Sequence, residues 1–136
     1  MPISYQEAPV PEGFMKLFWN DLSDVSFEVR YFEAAQDSLL FPKFGVSVKA
    51  LEGEKVAISG YVIPVTYERY VLSANPFAQC FFCGNAGPET VMELSIDNLE
   101  GVLFHTDEFR TFTGTFALND NDIDKLNYIL EGAVAL

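Results

Sequence analysis

Two cysteines stand in one segment of this sequence at a spacing that metal sites and redox sites share. They are Cys80 and Cys83, and the 136 residues contain no other cysteine. One Cys-x-x-Cys supplies two thiolates, whereas a tetrahedral zinc site takes four ligands. The other two could come from His105, which is the only histidine, from a carboxylate such as Glu89, or from a second loop of a partner chain. The first hypothesis is therefore a divalent metal site, with zinc as the metal.

The same pair of cysteines also permits two other interpretations. Thiol–disulfide exchange needs a thiolate that a helix N-terminus or a nearby cation stabilises. No Lys or Arg lies between Arg69 and Arg110, whereas acidic residues recur through that stretch. This charge pattern attracts a cation and disfavours a free thiolate, so it favours metal binding over a redox protein. The third interpretation is a structural or protein-interaction domain whose cysteines are buried or form one static disulfide.

The segment that carries the cysteines, residues 75–89, is long and rich in aromatic residues. Loops of this length inside a small domain are often functional. We therefore predict that this loop is the binding surface of a non-enzymatic module. The residues predicted to form that surface are Phe77, Phe81, Phe82, Asn85 and Pro88.

The charge balance excludes several classes of function. The chain has 8 Lys and Arg against 20 Asp and Glu, a net charge of −12, so it lacks the basic footprint of a nucleic-acid-binding protein. No apolar run approaches the roughly 20 residues that a membrane-spanning helix needs. No serine lies in a Gly-x-Ser-x-Gly elbow, which disfavours a hydrolase. We predict a small acidic domain with no catalytic residues and an unknown protein partner or metal ion as its ligand.

Hydrophobic patterning predicts two regions in this chain. Residues 1–41 form an N-terminal arm with a short helix at 14–22 and a strand at 25–32, and they pack on a domain that spans 42–136. Alternating apolar residues predict the strands of that domain at 45–51, 55–65, 70–74, 90–96 and 109–118. A helical stripe predicts a final helix over 120–133, with Asn119 or Asp120 as its N-cap.

Gly60 and Gly114 fall in the middle of two predicted strands, where a glycine often marks a bulge or a sharp bend. Five short strands with two such bends favour a small OB-type antiparallel barrel with an N-terminal extension and a C-terminal helix. The alternative is an open α+β sheet. In the barrel, residues 75–89 would connect the third and fourth strands and cover one end.

Several short motifs follow one another between residues 42 and 131. They read Leu51-Glu52-Gly53-Glu54-Lys55-Val56, Gly60-Tyr61-Val62-Ile63-Pro64, Val71-Leu72-Ser73, Pro76 followed by Cys80, Phe112-x-Gly114-x-Phe116, and Asn127-Tyr128. This set resembles an uncharacterised bacterial family, domain of unknown function 3299, in a subgroup with Cys-Phe-Phe-Cys-Gly where other members have Cys-x-His. The resemblance implies an envelope-directed protein of the periplasm or cell envelope, with no established enzyme activity. The chain as given carries no secretory signal.

Overall fold

The chain is built almost entirely from β-strands. The computed structural model describes residues 6–34, 36–66, 68–81 and 86–136. Its strands are β1 (Met15–Lys16), β2 (Val25–Phe32), β3 (Asp37–Phe44), β4 (Lys55–Thr66), β5 (Arg69–Ser73), β6 (Val91–Ser95), β7 (Glu108–Leu118) and β8 (Tyr128–Ala135). One short helix, α1 (Val46–Lys49), and 3-10 turns at Trp19–Leu22, Phe77–Gln79 and Pro88–Thr90 complete the described elements.

Five of these strands close into a barrel in the order β4-β5-β6-β8-β7, with β7 pairing back onto β4. The β6–β8 pair is parallel and the other pairs of the barrel are antiparallel. A five-stranded Greek-key barrel with this order is of OB type. The prediction of a small, mainly β barrel is confirmed. Within the described ranges, no helix has the length and hydrophobicity that a membrane span requires.

Glycines allow the barrel to close. Pairing between β7 and β8 shifts register between Thr113 and Thr115, opposite Gly132, whose φ is +60°. A glycine in the left-handed region is the signature of one class of β-bulge. A Cβ on Gly60 would lie 2.6 Å from the carbonyl oxygen of Ser73, so β4 and β5 approach closely there. The register shift falls opposite Gly114, but the bulged strand is β8, because Gly132 and Ala133 together stand opposite this one glycine.

The core forms because alternate residues of each barrel strand point inward. Val56, Ile58 and Val62 of β4 are buried in it, as are the rings of Phe112 and Phe116 of β7. The period of two that predicted β4, β5, β6 and β7 is the same pattern that fills the barrel.

The predicted C-terminal helix is wrong. Residues 128–135 form β8, which is inserted between β6 and β7 and buries Tyr128, Leu130 and Ala133. Residues 119–127 form the loop that precedes it. The apolar residues of this segment happen to fall at helical spacing. A helix would bury only one face, whereas β8 makes backbone hydrogen bonds to a neighbouring strand on each of its edges. Asn119 is consequently not a helix N-cap.

Three further predictions of local structure also differ from the observed fold. Residues 45–51 hold α1 rather than a strand, and residues 14–22 hold β1 and a 3-10 turn rather than a helix. Residues 75–89 connect the second and third barrel strands, because α1 takes the place of the first predicted strand. Residues 96–107 connect the third and fourth strands instead.

The β2–β3 hairpin is a separate two-stranded sheet beside the barrel. Its base is held by the ring of Phe44, whose centroid lies 5.9 Å from that of Tyr128. The Tyr128 hydroxyl donates a buried hydrogen bond of 2.7 Å to the carbonyl oxygen of Leu22, just before β2. Tyr128 therefore joins the N-terminal segment, the hairpin and the barrel.

We expect Tyr128 to make the stability of this protein fall in alkaline solution. Burial, and then the negative charges of Glu89 and Asp24, raise the pKa of Tyr128 well above its ordinary value of 10.0. The unfolded chain therefore releases this proton first, so the free energy of unfolding falls as the pH rises above about 10, by up to about 1.4 kcal/mol per pH unit. Urea unfolding of the natural chain and of Tyr128→Phe between neutral and strongly alkaline pH measures this slope.

The difference between the natural chain and Tyr128→Phe isolates the effect of this one hydroxyl, because the remaining tyrosines and the lysines titrate in both proteins. At neutral pH the variant should lose about 1 kcal/mol, the usual value of one intramolecular hydrogen bond. In alkaline solution it should lose stability less steeply than the natural chain. Identical slopes for the two proteins would contradict the prediction.

Candidate functional site

A cleft of about 320 Å³ opens between the β2–β3 hairpin and the barrel. We call it the hairpin cleft. Three segments that are far apart in sequence line it: β3, the segment between β5 and β6, and the β7–β8 loop. Its lining residues are Ser38, Leu39, Leu40, Phe41, Pro42, Phe81, Pro88, Asp120, Asn121, Asp122, Ile123, Lys125, Leu126 and Asn127.

The first wall of the cleft is the middle of β3. Each residue of this strand pairs with a residue of β2, so that Leu39 stands opposite Arg30 and Leu40 stands opposite Val29. The Leu40 side chain is 52 % exposed, which is high for a leucine in a strand. The Arg30 guanidinium lies 5.2 Å from the centroid of the Phe41 ring. This wall presents an apolar surface at the mouth of the cleft.

The second wall is the β7–β8 loop, and Asn119 holds it in shape. The side chain of Asn119 is buried, and the two hydrogens of its Nδ2 are shared among three carbonyl oxygens, those of Asp122 at 2.8 Å, Lys125 at 3.2 Å and Leu126 at 3.1 Å. Its Oδ1 accepts from the backbone N–H groups of Asn121 at 3.3 Å and Asp122 at 3.0 Å. One amide therefore replaces the backbone hydrogen bonds that a helix would have made, and the loop is organised before any ligand arrives.

An ion pair on the barrel anchors the end of this loop. The backbone N–H of Leu126 donates to Oε1 of Glu93 at 3.3 Å. Arg69 holds the same carboxylate through two hydrogen bonds, Nε to Oε2 at 2.7 Å and a terminal guanidinium nitrogen to Oε1 at 2.6 Å. Hydrogen bonding to Glu93, together with the charges of Glu93 and Asp124, raises the pKa of Arg69 despite partial burial. The loop is thus anchored to β5 and β6.

Acidic side chains dominate the rim of the cleft. Asp120 and Asp122 lie on the loop wall and are exposed, and Lys125 is the one lysine or arginine among the described lining residues. Ile123 lies on the same loop wall, with 45 % of its surface exposed. The site therefore combines apolar walls with a net negative edge.

The predicted metal ligands are not gathered in this cleft. Cys80 follows the 3-10 turn Phe77–Gln79 and is a free, fully buried thiol. Glu89 is half-buried in the turn Pro88–Thr90, and His105 is exposed in the loop before β7. In the part of the chain that the structure describes, no three His, Cys, Asp or Glu side chains form a group that could hold a metal ion. Cys83 lies outside the described residues, so a zinc site that includes it stays a prediction.

The predicted binding loop contributes part of the cleft. Phe81 and Pro88 both line it, from opposite ends of the segment between β5 and β6. Phe77 lies elsewhere: it is 44 % exposed, and its backbone N–H donates to Oδ1 of Asp107 at 2.8 Å. Phe82 and Asn85 lie outside the described residues. The structure therefore brings together two of the predicted loop residues.

Two walls of the cleft are missing from the sequence predictions. The apolar run Leu39-Leu40-Phe41 is a signal for β3, but Pro42 and Gly45 directly after it are typical of a break between elements. The run Asn119-Asp120-Asn121-Asp122 is rich in turn-forming residues, because Asn and Asp side chains bond readily to nearby backbone groups. Interpreting that run as a loop rather than a helix start would have identified the second wall.

No protein-family model matches this sequence, and no curated protein matches it. Its fold is similar to the crystal structure of a DUF3299 family protein from Pseudomonas aeruginosa PAO1, with a TM-score of 0.55. The likeness covers 90 % of this chain and 96 % of that chain at 13 % sequence identity. At that identity the comparison establishes a shared fold, in a protein whose family name states no activity.

Proposed function

We propose that this protein is a non-enzymatic binding module that takes an extended polypeptide segment of a partner protein in the hairpin cleft. The observation that carries the proposal is the meeting of three segments on one cleft, two of which are held in place: β3 by its pairing with β2, and the β7–β8 loop by Asn119 and Glu93. Preorganised walls lower the entropic cost of binding.

The apolar walls of the cleft set the first requirement on the ligand. A volume of about 320 Å³ lies at the small end of the range for ligand sites, roughly 300–1,000 Å³. A few side chains of a peptide fill such a space. Leu40 and Ile123 stand on facing walls and are each about half exposed, so an apolar side chain placed between them would bury surface on both.

The charge of the rim sets the second requirement. Asp120 and Asp122 favour a ligand that carries Lys or Arg beside its apolar residues, because complementary charge speeds association and rejects acidic competitors. The net charge of −12 acts in the same direction over the whole molecule. The ligand class is thus a basic and apolar peptide segment.

We also propose that the chain belongs to the domain-of-unknown-function family 3299. Two independent observations support this: the ordered motifs between residues 42 and 131, and a shared fold that covers nearly all of both chains. Neither observation names a ligand, so the proposed function depends on the cleft alone.

A labelled peptide tests the binding function directly. The probe is a fluorescein-labelled heptapeptide of alternating lysine and leucine, titrated against the protein by fluorescence anisotropy. The Leu40→Ser and Ile123→Ser variants should each weaken binding about tenfold, since each removes about 1.4 kcal/mol of apolar contact. Both side chains are half exposed, so the variants should fold as the natural chain does.

Two controls make the result specific. Val46→Ser changes an equally apolar side chain that is 86 % exposed on α1, outside the cleft, and should leave the affinity unchanged. A peptide with glutamate in place of lysine should bind at least about tenfold more weakly, because it meets the acidic rim. Failure of the lysine peptide to bind, or equal affinity in Leu40→Ser, Ile123→Ser and Val46→Ser, would sink the proposal.

A further inference from the structure

We infer that β2 is an interface strand: its outer edge pairs with β2 of a second copy of this chain, antiparallel about a two-fold axis, to form a four-stranded sheet. This inference concerns the edge of the hairpin that faces away from β3 and the hairpin cleft. Its measurement is self-association, so it can hold or fail whether or not the hairpin cleft binds a peptide.

The first step is that β2 has an available edge. It extends over eight residues, Val25–Phe32, and among the described residues it pairs with β3 only. A long strand with an open edge offers a row of backbone donors and acceptors to another strand. Proteins blunt such edges with proline, a bulge or charged side chains. Neither proline nor a bulge occurs within β2, and its two charged residues, Glu28 and Arg30, have opposite signs.

The second step is to find which residues of β2 direct their backbone groups outward. The N–H of Gly45 donates to the carbonyl oxygen of Asp24 at 2.7 Å, which makes Asp24 and Gly45 a hydrogen-bonded pair. Hydrogen-bonded and non-hydrogen-bonded pairs alternate along an antiparallel ladder. The odd-numbered residues of β2 therefore direct their N–H and C=O groups to the open edge. Pro42 agrees with this assignment, because it pairs with Phe27 and needs no N–H there.

The third step is that the outer edge is complementary to itself. With Val29 on the two-fold axis, Glu28 of one copy stands opposite Arg30 of the other, and the reverse pair forms by symmetry. Opposite charges placed directly across an antiparallel pair stabilise it. Within one copy the Glu28 carboxylate already pairs with Arg30 and Lys43. In the dimer the Glu28 carboxylate of the second copy would approach the same Arg30.

The fourth step concerns the apolar face of the hairpin. The Val29 side chain is 70 % exposed and the Tyr31 side chain is 67 % exposed. In the paired register, Val29 of one copy stands opposite Val29 of the other, and Tyr31 of one copy stands opposite Phe27 of the other. Aromatic and β-branched cross-strand pairs contribute to sheet stability. Association would thus bury the apolar side chains that the isolated hairpin exposes.

Sedimentation equilibrium over a wide range of protein concentration tests this inference on the full chain. It is performed at about 0.15 M ionic strength, where the Debye length is about 8 Å and the repulsion between two chains of net charge −12 is largely screened. We expect a monomer–dimer equilibrium. Arg30→Glu and Glu28→Lys should each weaken self-association by at least about tenfold, because each places like charges opposite one another.

Mixing these two variants provides the decisive measurement. In the mixed dimer, Glu28 of the Arg30→Glu variant stands opposite the unchanged Arg30 of the other variant. The introduced glutamate stands opposite the introduced lysine, so both cross-strand pairs are attractive again. At protein concentrations at which each variant alone is monomeric, the mixture should form a heterodimer. The charge changes Lys49→Glu and Glu54→Lys, on exposed side chains outside β2, are the matched controls and should leave dimerisation unchanged.

The inference is overturned if the natural chain remains monomeric at every concentration. It is equally overturned if Arg30→Glu and Glu28→Lys dimerise as well as the natural chain, or if their mixture contains no heterodimer. Thermal unfolding followed by the fluorescence of Trp19 shows whether each variant is folded. Because both substituted side chains are solvent-accessible, we expect unfolding temperatures close to that of the natural chain.

Discussion

Gly114→Val should strongly destabilise the barrel. A Cβ at position 114 would lie 2.7 Å from the carbonyl oxygen of Glu131 and 2.7 Å from Cγ of Leu130. The oxygen belongs to the backbone of β8, so it cannot move without opening the β7–β8 pairing at the bulge. We expect a loss of more than about 3 kcal/mol, at the upper end of the usual cost of overpacking a core.

Chemical denaturation and soluble yield measure this effect. Thr115→Val is the matched control, because it introduces the same side chain at the next residue of β7, on the outer face of the barrel. Gly114→Ala should fall between the two, since its single methyl group meets the same oxygen but adds no branches. A Gly114→Val protein that unfolds within about 1 kcal/mol of the natural chain would show that β8 can relax around the added atoms.

Arg69→Ala should be the most destabilising change at the margin of the hairpin cleft. It leaves Glu93 without its partner, and the Glu93 side chain is only 10 % exposed. Removing one member of a buried ion pair costs about 3–5 kcal/mol. Arg69 itself is 37 % exposed, so solvent screening reduces the expected loss to about 2 kcal/mol.

The second substitution in this experiment separates charge from packing. Adding Glu93→Gln to Arg69→Ala removes the unpaired charge but keeps an oxygen that can accept the N–H of Leu126. The double variant should therefore recover about half of the lost stability, as burial of a neutral group is cheaper than burial of a charge. Lys16→Ala is the control: its ion pair with Glu7 is more than 40 % exposed on both sides and should contribute about 0–1 kcal/mol. A double variant less stable than Arg69→Ala would refute this account.

The strands that could be predicted are those whose pattern is local. In β4 and β7 the inward side chains alternate with outward ones over 11 or more residues, and Gly114 interrupts the pattern where the barrel bulges. In β8 the local pattern fails. Tyr128–Ala135 has a helical stripe, yet it pairs with Val91–Ser95 and Glu108–Leu118. Those partners are far from β8 in sequence, and no short window of residues contains them.

Less of the candidate site than of the fold could be predicted, because the walls of the hairpin cleft come from segments that are far apart in sequence. Phe81 and Pro88 belong to an unusual loop that the sequence singles out, and they do line the hairpin cleft. Nothing in their neighbourhood indicates that β3 and the β7–β8 loop stand opposite. Asn119 is the clearest case: its residue type is compatible with a helix cap or a loop, and five hydrogen bonds to the loop decide between them.

Composition and periodicity alone establish that this is an acidic, mainly β domain. They also indicate which strand residues alternate toward the core, where a glycine interrupts a strand, and which loop is unusual. These properties act between neighbours along the chain, so they can be inferred before any fold is known. Contacts between remote segments settle the rest: that the last segment is a strand, that β2 and β3 form a separate hairpin, and where a cleft opens. Those outcomes depend on which distant edges meet, because backbone hydrogen bonds and buried surface between remote segments outweigh local preference.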